Sequence, residues 1–292
     1  MNTELQHITI ESNGINLHTV QCGQVNGPPV ILLHGFPEFW YGWRHQIDPL
    51  AEAGYRIIIP DQRGYNLSDK PRGVSAYTLH ELAGDVIGVL DCLGLKQCYL
   101  VGHDWGGAVA WETALAYPGR IQKLAILNVP HLDVMIRFLR SSRKQLKKSW
   151  YIFFFQLPGL PEWWLSKKEY ANLQRMLRLS GRRGTFSEAD IDQYLQAWRQ
   201  PGALKGMINW YRSAFRRGLI GLWKANHSNA RRVSVPTLML WGKRDVALSH
   251  EMAQPSIELC DQGKLVLFDK ATHWVQHDEA EAVAQTIIDF LR

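Results

Sequence analysis

The chain has 292 residues, which is enough for one large α/β domain or two small ones and for a sizeable core without disulfide or metal staples. Apolar residues make up 46% and charged residues 21%, and no 18-residue stretch is continuously apolar, so a transmembrane span is excluded. The sequence pI is near 9.1, yet no nucleic-acid motif accompanies the positive charge, so nucleic acid is excluded as a partner.

Short apolar runs bounded by Gly, Pro and Asn turns predict eight strands, the first two joined as a hairpin across residues 12–15. Helix-period segments such as 78–93 and 108–116 separate later strands, and this alternation implies a mostly parallel sheet flanked by helices. The predicted strands are 7–11, 17–22, 30–33, 56–59, 98–102, 124–127, 237–241 and 264–268.

The segment from Tyr99 to Gly107, Y-L-V-G-H-D-W-G-G, is an apolar strand that passes through small-x-Asp-x-small into a helix. This pattern is typical of a nucleophile elbow in the α/β-hydrolase fold, where glycines at 102 and 106 avoid clashes on a sharp turn. The usual nucleophile is Ser. A carboxylate that attacks a saturated carbon instead gives an alkyl ester that water reopens, so Asp104 indicates an epoxide or a haloalkane as substrate. The alternative is that Asp104 only caps the following helix.

The pattern changes between Pro130 and Val235, where the chain becomes helical, basic and aromatic. We predict a core domain from residues 1–130 and 233–292 and an inserted helical cap from 131–232. The cap carries 20 Lys and Arg against 6 Asp and Glu, whereas the rest of the chain carries 13 against 21.

Basic and apolar residues near the start of the cap alternate with helical spacing, which predicts one basic amphipathic helix. The simplest interpretation is a solvated helix face. The alternative is a cap that steers anionic amphiphiles or makes weak contact with an anionic membrane surface. The basic positions are Arg137, Arg140, Lys144 and Lys147, and the apolar ones are Met135, Ile136 and Leu139.

Loops after other strands supply the remaining predicted groups. An H-G-F-P loop follows the third strand, where this fold forms an oxyanion hole, so the backbone N–H groups of Phe36 and Trp105 are the expected donors. His273 follows the last strand as the predicted base, and Asp245 follows the strand before it as the acid that orients the base. The alternative position for the acid, after the sixth strand, holds Asn128.

Other histidines are expected to be structural. His34 lies in the H-G-F-P loop and should order that turn through hydrogen bonds, and a cis peptide bond before Pro37 is a further hypothesis. His103, His250 and His277 are expected to be ordinary core or surface residues.

The four cysteines, at 22, 92, 98 and 260, lack metal-ligand spacing and lie in apolar contexts, so buried free thiols are expected. The first ten residues lack the basic start and apolar run of a secretory signal. A cytoplasmic location is the resulting expectation, and neither a cofactor nor a metal is implied.

Together these residues resemble the soluble epoxide hydrolase family over essentially the whole chain. The resemblance implies an eight-stranded α/β-hydrolase sheet with a cap and the conversion of epoxides to vicinal diols. The elbow and the H-G-F-P loop are shared with haloalkane dehalogenases. The sequence matches the family without the N-terminal phosphatase domain and Pro-rich linker of the mammalian enzyme, so we expect no phosphatase activity and a similarity to the single-domain bacterial or plant form. The matching motifs are H-G-F-P-E-F-W-Y-G-W-R at 34–44, G-H-D-W-G-G at 102–107, N-W-Y-R at 209–212 and T-H-W at 272–274.

Opening an epoxide requires a proton for the leaving oxygen, which Tyr supplies and Trp does not, whereas a halide leaves without one. The cap contains Tyr151, Tyr170, Tyr194 and Tyr211, and the residues alone do not choose among them. The resemblance identifies Tyr151 and Tyr211 as the paired donors, through W-Y-I-F-F-F-Q and N-W-Y-R, and leaves the other two structural. Packing alone is the alternative role for Tyr151 and Tyr211.

Aromatic residues crowd the cap, which predicts an apolar pocket for a small epoxide between the cap and the sheet. Phe36, Trp105, Trp210 and Trp274 are the predicted substrate contacts. Two alternatives stay open. One is a haloalkane or haloacid dehalogenase that uses the same Asp-His-Asp triad, with Trp105 as halide donor, and the other is a non-catalytic ligand-binding protein on this fold. The sequence is compatible with a monomer or a homodimer.

Overall fold

The computed structural model describes residues 3–224 and 230–292, and its centre is one eight-stranded sheet. The strands are β1 (Gln6–Ser12), β2 (Ile15–Gly23), β3 (Pro29–Leu33), β4 (Arg56–Pro60), β5 (Cys98–His103), β6 (Ile121–Leu127), β7 (Thr237–Gly242) and β8 (Gly263–Phe268). Their order is β1-β2-β4-β3-β5-β6-β7-β8. β2 runs antiparallel to both of its neighbours and the other pairs are parallel, so all eight predicted strands and the mostly parallel sheet are confirmed.

The hairpin of β1 and β2 closes at Asn13-Gly14, where Ser12 pairs with Ile15. Asn13 and Gly14 have φ of 49° and 73°. A two-residue turn of this kind needs positive φ at both positions, which Asn and Gly tolerate best. The dipeptide therefore fixes the register of the first two strands.

Helices cover both faces of the sheet, and each face has its own apolar core. The twelve helices of the described residues are α1 (Arg44–Glu52), α2 (Leu79–Cys92), α3 (Trp105–Ala116), α4 (Leu132–Ser141), α5 (Arg143–Lys148), α6 (Trp150–Phe154), α7 (Leu160–Ser180), α8 (Glu188–Trp198), α9 (Ala203–Lys224), α10 (Ala253–Ile257), α11 (Val275–Asp278) and α12 (Ala280–Leu291). α2, α3 and α10 pack on one face and α1, α11 and α12 on the other. Burial on both faces explains why the inner strands β3, β4 and β7 are mostly apolar, whereas the edge strand β1 is largely polar.

Helices α4 to α9 lie between β6 and β7, so the fold is an α/β-hydrolase sheet with an inserted helical cap, as predicted. The exact cap limits, 131 and 232, stay a prediction, and residues 225–229 within them lie outside the described residues. None of the helices in the described part of the chain combines the length and the apolarity that a membrane span requires.

The predicted single basic helix through residues 135–147 is wrong, because the chain forms two helices there, α4 and α5. Ser142 breaks the helix with φ of −110° and ψ of 105°. Its side chain accepts a hydrogen bond from the Gln145 N–H at 3.2 Å and so begins a new helix. Serine competes with helix continuation in this way because its hydroxyl satisfies a free N–H at a helix start. Ile136, predicted on the apolar side, is 39% exposed.

The cysteine prediction holds for three of the four positions. Cys22, Cys98 and Cys260 are buried free thiols, and burial raises the pKa of Cys22 and of Cys98 to about 12. Thiols with a raised pKa are poor nucleophiles. Cys92 is exposed at the last position of α2, so the prediction of a buried thiol is wrong there.

Candidate active site

Asp104 occupies the sharp turn between β5 and α3, with φ of 50° and ψ of −121°. The flanking glycines make this turn feasible. A Cβ on Gly102 would lie 2.4 Å from the Gly106 carbonyl oxygen, and one on Gly106 would lie 2.2 Å from the Leu33 carbonyl oxygen. The Asp104 side chain makes no capping hydrogen bond to the N–H groups in the first turn of α3. The alternative role as a helix cap therefore fails.

The Asp104 carboxylate reaches back to the H-G-F-P loop. Its Oδ1 accepts a hydrogen bond from the Phe36 N–H at 2.8 Å, and its side chain is 14% exposed. The loop can come this close only because Gly35 has no side chain, since a Cβ there would lie 2.5 Å from the Asp104 Cβ. One carboxylate oxygen is thus fixed by a backbone donor, and the other is left for chemistry.

His273 follows β8 and lies between two carboxylates. Its Nδ1 donates to Asp245 Oδ2 at 2.8 Å, and its Nε2 lies 3.6 Å from Asp104 Oδ2. Burial lowers the pKa of His273, but the charge of Asp245 and hydrogen bonds to both carboxylates outweigh it and raise the pKa to about 10. The resting ring is therefore an imidazolium. For Asp245, burial raises the pKa, yet the positive charge of His273 and the hydrogen bonds from His273, Asn128 and the Leu248 N–H together outweigh it, and the net shift is downward.

Asp245 is held by three donors besides His273. Its Oδ1 accepts from the N–H groups of Ala247 and Leu248 at 2.7 and 2.8 Å, and its Oδ2 accepts from the Asn128 side-chain amide at 2.8 Å. Asn128 is itself fixed, because its Oδ1 accepts from the Gly242 N–H at 3.1 Å. In the sequence, Asn128 stood out only as a missing carboxylate. Its position directly after a buried strand was the signal for a group that positions the acid.

His34 orders the H-G-F-P loop, as expected. Its Nε2 accepts from the Gln62 N–H at 3.0 Å, so Nδ1 carries the proton and donates to the Gly35 carbonyl at 3.1 Å. Burial lowers the pKa of His34, which keeps the ring neutral. The peptide bond between Phe36 and Pro37 is cis, as hypothesised.

A buried polar cluster that sequence reasoning did not identify lies behind His273. His103 Nε2 donates to the His273 carbonyl at 2.8 Å, and His277 Nε2 donates to Glu38 Oε1 at 2.8 Å. Tyr194, from α8 of the cap, donates its hydroxyl to the same Glu38 oxygen at 2.6 Å. Burial raises the pKa of Glu38, but His277 and His103 hold it well below its usual range. The cluster therefore connects the loop that carries His273, strand β5 and the cap.

Tyr151 on α6 and Tyr211 on α9 meet ring to ring, with centroids 5.8 Å apart and planes at 82°. The Tyr211 ring also packs edge-on against Phe36 at 5.3 Å and Trp105 at 5.0 Å. Burial raises the pKa of both tyrosines, and the negative charge of Asp104 raises it further. Both hydroxyls therefore keep their protons at neutral pH and are available as donors.

Arg212 fixes the position of α6 relative to α9. From α9 it donates to the carbonyls of Phe155 at 3.0 Å and Leu157 at 2.8 Å, just beyond the end of α6. It also forms a two-pronged ion pair with Glu162 at 2.6 and 3.1 Å. Guanidinium geometry suits this arrangement because it offers several donors in one plane. Arg212 is the residue next to Tyr211, so this clamp holds the two tyrosines together.

Two of the predicted substrate contacts, Trp210 and Trp274, are buried and use their indole N–H groups on partners within the protein. Trp210 is fully buried, donates to the Arg63 carbonyl at 2.9 Å and packs 5.7 Å from Trp105. Trp274 is 3% exposed, donates to Ser180 Oγ at 2.8 Å and packs 5.0 Å from His273. Contact of either ring with substrate stays a prediction.

The fold and the elbow define an α/β-hydrolase, and the family model for the alpha/beta hydrolase fold matches residues 28–280. Within that class the chain belongs to the epoxide hydrolase family. It is 43% identical to the AB hydrolase superfamily protein YfhM of Bacillus subtilis, covering 97% of this chain and 96% of that one. It is 36% identical to Epoxide hydrolase 4 of Mus musculus, over 98% of this chain and 79% of that protein. A crystal structure of Bacillus megaterium epoxide hydrolase with an inhibitor is similar, with a TM-score of 0.87 and 30% sequence identity over 98% of this chain and 99% of that one.

Proposed function

We propose that this protein hydrolyses epoxides to vicinal diols through a covalent ester on Asp104. The observation that carries the proposal is the meeting of two protonated tyrosines, Tyr151 and Tyr211, in the cap above a carboxylate nucleophile. The relatives and the similar solved structures named as epoxide hydrolases support the same reaction.

In the first step Asp104 Oδ2 attacks one epoxide carbon while the bond from that carbon to the oxirane oxygen breaks. The oxygen takes a proton from Tyr151 or Tyr211, which leaves a hydroxyalkyl ester and a tyrosinate. Attack by Oδ2 is favoured because Oδ1 is held by the Phe36 N–H and becomes the ester carbonyl oxygen. Paired donors lower the barrier because they stabilise the charge that develops on oxygen.

Ester formation then changes His273. It removes the negative charge of Asp104, which is one of the two carboxylates that raise the pKa of His273. The imidazolium gives its proton up to the tyrosinate and becomes a neutral base. The base is thus released only after the ester exists.

In the second step His273 takes a proton from water, and the resulting hydroxide adds to the ester carbonyl carbon. The oxyanion on Oδ1 is stabilised by the Phe36 N–H and, as we propose, by the Trp105 N–H. Collapse breaks the bond to the diol oxygen, which takes the carboxyl proton. The products are the diol, an ionised Asp104 and a protonated His273 oriented by Asp245, which is the resting state.

Styrene oxide turnover tests the proposal. Asp104→Ala should abolish diol formation, and the double variant Tyr151→Phe/Tyr211→Phe should lose it while keeping its fold. Tyr170→Phe is the matched control, because the Tyr170 hydroxyl donates to the Trp198 carbonyl at 3.0 Å within the cap. Full activity of Asp104→Ala would refute the nucleophile. Chloride release from 1-chlorobutane with no diol from any epoxide would favour a dehalogenase, and no turnover of either would favour a binding protein.

A single turnover in heavy-oxygen water separates the two-step route from direct attack. The ester route transfers an unlabelled Asp104 oxygen to the diol and places solvent oxygen on Asp104. A labelled diol with an unlabelled Asp104 would mean that hydroxide attacks the epoxide directly.

A further inference from the structure

Five large apolar side chains lie exposed in one short stretch of the cap, which comprises α6, the loop after it and the first turn of α7. We call this group the cap face. Isolated apolar side chains are common on protein surfaces, but a contiguous group indicates a contact surface. Its members are Trp150 at 55% exposed, Phe153 at 47%, Leu157 at 45%, Leu160 at 44% and Trp163 at 56%.

Ring contacts connect Trp150 and Phe153 of the cap face to neighbouring aromatic side chains. Trp150 packs on Phe154 with ring centroids 6.0 Å apart, and Phe154 packs on Trp164 at 5.6 Å. Trp164 is the chain neighbour of the exposed Trp163. Phe153 packs on Phe215 of α9 at 5.6 Å, which continues the surface to a second helix.

The exposure of the cap face is built into the fold. Arg212 binds the carbonyls of Phe155 and Leu157 from the buried side, so the loop between α6 and α7 has a fixed path. That path leaves the Leu157 and Leu160 side chains 45% and 44% exposed.

The charges around the cap face are mostly positive. Lys167 Nζ lies 4.6 Å above the centre of the Trp163 ring, and Lys168 follows it along an open groove beside Trp163 and Trp164. Exposed Lys147, near the end of α5, precedes Trp150 by three residues, and exposed Arg216 follows Phe215. The nearby acids are neutralised within the cap, since Glu162 pairs with Arg212 and Glu169 with Arg199.

We propose that the cap face docks on an anionic lipid bilayer. Indole rings favour the boundary between headgroups and acyl chains, and basic side chains extend from apolar surface to reach anionic headgroups. An amphipathic surface that combines both binds anionic membranes peripherally. A second copy of the chain is the less suitable occupant, because protein interfaces are depleted in lysine at their centres whereas Lys167 lies over the exposed Trp163 ring.

Flotation with lipid vesicles tests the docking without any substrate. The full chain should float with vesicles of phosphatidylglycerol and phosphatidylcholine and not with phosphatidylcholine alone. Leu160→Ser and Trp163→Ser should each lower the partition coefficient on the order of tenfold, because each removes apolar surface that would enter the bilayer. Lys167→Gln should lower it about fivefold, the contribution of one basic residue near an anionic surface.

Matched variants far from the cap face control for general surface effects. Leu67→Ser removes a leucine that is 57% exposed in the core domain, and Lys264→Gln removes an exposed charge on β8. Both should float like the wild-type chain. Brominated phosphatidylglycerol should quench tryptophan fluorescence in the wild-type chain and much less in Trp150→Phe/Trp163→Phe.

Three results would overturn the proposal. The first is equal flotation with neutral and anionic vesicles, and the second is flotation that Leu160→Ser and Trp163→Ser leave unchanged. The third is a dimer in sedimentation velocity that Trp163→Ser dissociates, which would assign the cap face to a second copy. Epoxide turnover does not enter any of these measurements, so loss of the proposed reaction and loss of docking are separately visible.

Discussion

Asp104→Asn should lower the pKa of His273 by about three units, because it replaces one of the two flanking carboxylates with a neutral amide, as ester formation does. His273 Nε2 lies 3.6 Å from Asp104 Oδ2. Two unit charges at that distance interact by about 5 kcal/mol at an effective dielectric constant of about 20, and about 1.4 kcal/mol corresponds to one pKa unit. The pKa of about 10 should therefore fall to about 7.

The assay is an NMR titration of the imidazole nitrogens in protein labelled at histidine, between roughly pH 5 and pH 11. Peptide mass should confirm that the introduced side-chain amide has not been hydrolysed back to the carboxylic acid. Asp289→Asn is the control, since this carboxylate is 59% exposed near the end of α12 and should leave the titration of His273 unchanged. If His273 in Asp104→Asn still titrates near the wild-type pH, Asp245 alone holds the proton and ester formation does not release the base.

Three further outcomes follow from the same geometry. The pKa of His273 is raised, so its stabilising contribution is complete below about pH 6.5 and is lost as the pH rises through about 10. The Tm of the wild-type chain should therefore fall more over this pH range than the Tm of His273→Gln. Equal falls in Tm would contradict the raised pKa. Gly35→Ala should lower kcat/KM for styrene oxide more than about a hundredfold by displacing the nucleophile, whereas Gly119→Ala, in open space, should have no effect. Arg212→Met should lower the free energy of unfolding in urea by about 3–5 kcal/mol, because it leaves the Glu162 carboxylate without its partner. The control Arg178→Met, which breaks an exposed ion pair, should lower it by less than about 1 kcal/mol. Similar losses would mean that Arg212 stabilises the fold no more than an exposed ion pair does.

Local rules made the elbow predictable from sequence. Gly102 and Gly106 around Asp104 have one structural explanation, since a Cβ at either position would collide with backbone. Asp245 and His273 were predictable from their places after successive strands, and the structure brings them to hydrogen-bond distance. Parallel strands end at one edge of the sheet, so order along the chain translates into proximity.

Longer-range packing explains what the sequence did not disclose. The Glu38 cluster joins residues from β5, α8 and α11, and no spacing in the chain marks such a meeting. The break at Ser142 depends on a competition between continuing a helix and capping a new one, which the apolar period does not reveal. Trp210 donates its N–H to the Arg63 carbonyl, a partner that no spacing in the chain marks. Side-chain roles of this kind are decided by neighbours from distant segments.

The Arg212 clamp has a consequence for substrate range. Arg212 of α9 binds the backbone just after α6 and pairs with Glu162 at the start of α7, so it holds in place the segments that carry Tyr151 and Tyr211. A bulkier oxirane that moved α6 away from α9 would break these bonds. A movement in which the two tyrosines rise together above Asp104 keeps them. Variation that changes the height of the cap above the sheet would therefore alter which epoxides fit, while the geometry of the proposed proton donation stays the same.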